Sequence, residues 1–146
     1  HALARSGKVK AAWAVEDSLA AALGLAVDGG TEYVRAGRVA PQTAGSFLAT
    51  VRQTLSPQAV FYGEAGRSIE RVAVSCGGGG CYFREAAALG ADLFLTGEMK
   101  HHERIEAQGL GMEIIIAGHD ETERVALEPL RRRLSARLEV PVFVKA

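Results

Sequence analysis

Apolar positions recur at helical spacing over residues 9–23. There Ala12, Val15, Leu19 and Leu23 line one side of an alanine-rich segment that Gly24 stops. Residues 25–31 read as a loop with Asp28-Gly29-Gly30 as its turn, and Tyr33-Val34-Arg35 as a short strand before Gly37 and Pro41. A second helix is predicted from near Thr43, with Phe47, Val51 and Leu55 at four-residue intervals and Ser56-Pro57 as its stop. Ala59–Tyr62 is a short strand. From Ile69 the pattern alternates regularly: strand Ile69–Ser75, glycine loop Cys76–Gly80, helix Cys81–Leu89, strand Asp92–Leu95, helix Glu98–Gln108 and strand Glu113–Ala117. A long helix Asp120–Leu138 follows, with Leu127, Leu130, Leu134 and Leu138 as a buried stripe, and Val140–Val144 is a last strand.

Strands alternating with helices predict the α/β class. The expected architecture is one domain over residues 1–146, a layered fold with a mostly parallel or mixed sheet flanked by helices. Right-handed crossovers put the C-terminal ends of successive parallel strands on one sheet edge, and ligands bind outside that edge. Three loops leave it: Cys76–Gly80, Thr96-Gly97-Glu98 and Gly118-His119-Asp120.

Composition changes this picture little. The 146 residues are 48% hydrophobic and 23% charged with zero formal net charge, which supplies no whole-chain attraction to nucleic acid or a membrane surface. Two cysteines make no disulfide scaffold, so a reduced, cytoplasmic setting is expected. No apolar run is long enough to cross a bilayer.

The candidate chemistry lies in Thr96–Glu123, which holds three of the chain's four histidines. His119 and Glu123 are four residues apart, a spacing that lets both side chains hold one cation. The same stretch also reads as a helix start, with Asp120 and Glu123 as a capping box. Glu98 and His102 share the same spacing, so Glu98 can orient the His102 ring; the alternative is an ordinary surface pair. Four consecutive glycines, Gly77–Gly80, could cradle a phosphate or simply make a turn, and their spacing is not that of a P-loop. Cys76 and Cys81 read as small thiols rather than zinc ligands.

Three segments carry a family resemblance: R-V-A-V-S-C-G-G-G-G, G-A-D-L-F-L-T-G-E-M-K-H-H and A-G-H-D-E-T-E-R. In order and spacing they resemble the C-terminal half of the Nif-three-like proteins, the GTP cyclohydrolase I type 2 homologues, which carry a dinuclear metal centre. The match is strong over residues 61–146 and loose over 1–60. The resemblance implies divalent metal ions (zinc, iron or manganese), with His119 and Glu123 as ligands and Glu98 and His102 lining the same cleft. It also implies a homo-oligomer, a toroidal hexamer with its metal pairs facing the inner cavity. The family's N-terminal half supplies a His-His pair and an H-x-x-x-D motif. No His-His pair precedes residue 101 here; by resemblance Trp13 and Asp17 stand in the His and Asp places of that motif, and the alternative reading of Asp17 is helix surface. Asp17 is therefore the third metal candidate by resemblance.

The expected function is a metal-dependent, hydrolase-like protein acting on a small phosphate- or nucleotide-like substrate, with His102, steered by Glu98, moving the proton. The missing ligands leave open a non-catalytic oligomeric interaction module. A phosphate-binding domain built on the glycine loop is a third reading.

Overall fold

The runs without polar interruption form the middle of the sheet. In the computed structural model, which describes residues 14–138 and 140–145, β4 (Ser68–Ser75), β5 (Leu93–Thr96) and β6 (Glu113–Ile116) pair in parallel. Strands covered on both faces carry apolar side chains at successive positions, and the alternation shows here in where those side chains go. Val72, Val74, Leu93, Leu95 and Ile115 enter one core layer, which α1 (Val15–Ala22) and α2 (Ala44–Thr54) cover with Leu19, Phe47 and Val51. Ala73, Phe94 and Ile114 enter the other, beneath Phe83 of α3 (Phe83–Ala88) and Ala107 of α4 (His101–Gly109).

Three antiparallel strands complete a mixed six-stranded sheet: β1 (Ala26–Gly30), β2 (Arg35–Thr43) and β3 (Val60–Tyr62), in the order β1-β2-β4-β5-β6-β3. Thr43 accepts the Ser46 N–H and caps α2, where the sequence places its start.

Several expectations are corrected. Residues 26–30 are not a turn but the edge strand β1. The Asp28 carboxylate is taken by Arg71, at 2.9 Å from Nη1, and the turn moves to Thr31–Val34, closed by Thr31 N–H to Val34 O at 3.0 Å. The strand expected over Tyr33–Arg35 runs on to Thr43, because an irregularity between Arg38 and Gln42 accommodates Pro41 inside it. A 3₁₀ turn, Gly79–Tyr82, precedes α3 where one helix from Cys81 was expected.

The predicted long helix is two, α5 (His119–Arg124) and α6 (Leu127–Ser135). Pro129 has no N–H for the Val125 carbonyl four residues back, and its ring crowds that oxygen. The break falls there. The leucine stripe is not buried: Leu127, Leu134 and Leu138 are exposed, and no residue of α6 is buried. Residues 140–145 form no strand, since no ladder joins them to a described strand. Residues 9–13, including Ala12 of the expected helix and Trp13, lie outside the described residues.

Candidate metal site at the parallel strand ends

The three parallel strands stop level with one another: Ser75 pairs with Thr96, and Thr96 with Ile116. Their loops meet at once. Glu98 N–H donates to Gly77 O at 2.9 Å, Gly80 N–H to Glu98 O at 3.1 Å, and Gly118 N–H to Gly97 O at 3.1 Å. Glu98 thus spends its amide and carbonyl on the glycine loop and cannot begin a helix. For this reason α4 starts at His101 rather than at Glu98, with Glu103 accepting the Lys100 N–H at 2.9 Å.

The later start redirects the Glu98 side chain. Its Oε2 lies 3.2 Å from His119 Nδ1, while His119 Nε2 faces Glu123 Oε1 at 3.6 Å. His119 is therefore flanked by carboxylates on its two ring nitrogens. With its proton on Nδ1 toward Glu98, the ring would offer the Nε2 lone pair to a cation lying between it and Glu123. The carboxylate that spacing alone assigned to His102 serves His119 instead. His102 is exposed in the first turn of α4, and the neighbouring His101 Nδ1 meets Arg104 Nη2 at 3.1 Å. Asp17 is not drawn into the cluster. It binds Arg35, with Oδ1 at 2.7 Å from Nε. The helix-start alternative for Asp120 is also corrected: Gly118 is the N-cap of α5, there is no side-chain cap, and Asp120 pairs with Arg124.

Donors about 2.0–2.2 Å from a shared ion lie at most about 4.4 Å apart, so His119 Nε2 and Glu123 Oε1, at 3.6 Å, fit as two ligands of one divalent cation. Glu98 sits on the far side of the ring and fits as the carboxylate behind the ligand rather than as a third ligand. Among the described residues no three His, Cys, Asp or Glu side chains converge on one ion position. These residues thus supply part of a coordination sphere.

The glycine loop is shaped by its neighbours. Gly77 has φ +57°, and a Cβ there would lie 2.5 Å from Glu123 Oε1 and 2.8 Å from His119 Nε2. At Gly79 a Cβ would overlap Ser75 Oγ, and at Gly80 it would stand 2.6 Å from Glu98 O. Gly78 alone is open, with Glu98 Oε2 and His119 Cε1 both 4.0 Å away. Close packing thus accounts for three of the four glycines without a phosphate. Sequence reasoning singled out Gly77 only as part of a possible phosphate cradle or turn; its role as the wall beside His119 and Glu123 is set by packing between loops.

The model of the family described as Duf34/NIF3 (NGG1p interacting factor 3) matches residues 9–146. The chain belongs to this family. A GTP cyclohydrolase 1 type 2 homolog of Allochromatium vinosum is 41% identical over 102 residues, which is 69% of this chain and 40% of that protein. Human NIF3-like protein 1 is 39% identical over 77 residues, 51% of this chain and 20% of that protein. The solved structure of ybgI, a protein described as of unknown function, superposes with a TM-score of 0.83 at 28% identity, covering 90% of this chain and 54% of that one. The chain therefore spans less than half of these curated NIF3 relatives and about half of the solved one. No helix among the described residues is long and apolar enough to cross a membrane.

Proposed function

We propose that this chain carries part of a metal-dependent hydrolase site for a small phosphate- or nucleotide-like substrate. The observation that supports the reading is the His119 ring held between Glu98 and Glu123 at the ends of three parallel strands. His119 and Glu123 would hold a divalent ion such as zinc, iron or manganese, and that ion would lower the pKa of a bound water. Glu98 fixes the tautomer and orientation of the His119 ring. His102, exposed in α4 beside the same sheet edge, is the group proposed to carry a proton. The remaining ligands would come from outside the described residues, from a partner subunit in a homo-oligomer such as the toroidal hexamer or from further polypeptide. A cytoplasmic setting belongs to the same proposal.

A second reading is favoured by a specific observation: among the described residues, no group of three His, Cys, Asp or Glu joins His119 and Glu123 at a common ion position. A non-catalytic oligomeric interaction module retains the fold with a site of this kind. Elemental mass spectrometry on the purified chain separates the two readings. Metal retained by the wild type and lost in His119→Ala, with an unchanged circular dichroism spectrum, is expected for the hydrolase. Equal metal in both proteins removes the site assignment, and none in either, after dialysis against zinc, manganese or iron, favours the interaction module.

A further inference from the structure

Thr122 is fully buried beneath the cluster and carries no charge. Its hydroxyl accepts the Gly77 N–H at 3.0 Å and faces the carbonyls of Gly118 and His119, each at 2.9 Å, to one of which it donates. The third loop closes on it too, since a Cβ at Gly97 would lie 2.7 Å from Thr122 Oγ1, 2.6 Å from Gly77 O and 2.8 Å from Gly118 O. One hydroxyl therefore joins the loops after β4 and β6 and seats the loop after β5 against them. The Gly77 loop in turn forms the wall on which His119 Nε2 and Glu123 Oε1 rest.

We propose that Thr122 is a positioning residue whose hydroxyl clamps the Gly77 loop to the start of α5 and thereby sets the placement of His119 and Glu123. It touches no substrate and no reacting atom. In cation binding this rests on the metal reading above; in the placement of the His119 ring it does not. A buried N–H that loses its acceptor retains its desolvation cost, so a shape-matched replacement without oxygen releases the loop rather than repacking it. Serine keeps the oxygen and valine keeps the shape.

The test compares wild type, Thr122→Val, Thr122→Ser and His119→Ala by NMR and by cobalt(II) titration followed by visible absorption. In the metal-free chain, nuclear Overhauser contacts between Gly77 Hα and the His119 ring are expected in wild type and Thr122→Ser and lost in Thr122→Val. The Gly77 amide is expected to exchange with solvent at least tenfold faster in Thr122→Val alone. Cobalt affinity is expected to fall at least tenfold in Thr122→Val and to be restored in Thr122→Ser. Thr122→Val with wild-type contacts and wild-type Gly77 exchange overturns the proposal, as does Thr122→Ser behaving like Thr122→Val. Cobalt bound equally by wild type and His119→Ala overturns the metal reading instead, and the metal-free NMR contacts still decide the clamp.

Discussion

At the scale of single residues, the site depends on where backbone comes too close for a side chain. Gly77 combines a left-handed φ of +57° with an imidazole and a carboxylate where its Cβ would stand. Gly77→Ala is expected to cost about 1–3 kcal/mol in urea unfolding. Gly78→Ala, one residue further along the same loop, meets only ordinary contacts at 4.0 Å, so its cost is expected to stay within about 0.5 kcal/mol. Similar losses for the two variants would contradict the packing account of the loop. Gly118, at φ +101°, plays a corresponding part on the other side, turning the chain so that His119 opens α5. Residue types alone signalled His119 and Glu123 as a pair. They could not signal that Glu98 belongs with His119, because that partnership depends on loop-to-loop hydrogen bonds between residues far apart in the chain.

At the scale of elements, α6 separates propensity from burial. Its leucines follow a helical period, and the helix forms, yet Leu127, Leu134 and Leu138 stay exposed. Leu134→Asp is therefore expected to change the stability of this chain by less than about 0.5 kcal/mol. Phe94→Ala in β5 empties a fully buried position and is expected to cost about 3–5 kcal/mol, both by urea denaturation. The polar side of α6 is tied by Glu128, whose carboxyl is held down to about 2 by hydrogen bonds from Arg131 and then Arg132. A folded value below the ordinary one contributes stability above the unfolded value, and that contribution disappears as pH falls through about 2. Carboxyl-carbon NMR of Glu128 is expected to show its midpoint near 2, and Glu128→Gln is expected to remove the acid-dependent part of the helix signal.

At the scale of the whole molecule, the sheet acts as the instrument that gathers the site. Three parallel strands ending in register bring together residues from positions 77, 98, 119 and 123, which no local spacing would unite. A coordination sphere with two donors among the described residues is expected to bind a divalent ion weakly when the chain is monomeric and more tightly when further donors join. Light scattering run beside metal analysis checks this: metal content should rise with the assembled fraction. Stoichiometric metal on a strictly monomeric chain would show that a single chain suffices.

The alternation of apolar runs with helical periods determined the α/β class, the three parallel strands and the common edge of their loops, because buried strands and amphipathic helices are local patterns. It also placed a helix start near Thr43 and marked His119 with Glu123 as a pair, since both are matters of a few residues' spacing. Tertiary structure alone decided the rest. Arg71 reaching Asp28 turned an expected loop into β1, and the Gly77 and Gly80 bonds to Glu98 delayed α4 and sent its carboxylate to His119. Arg35 engaged Asp17, and the end of α6 gained no cover. Each of these outcomes is a competition between a local preference and a partner distant in sequence, and only the folded chain brings that partner within hydrogen-bonding distance.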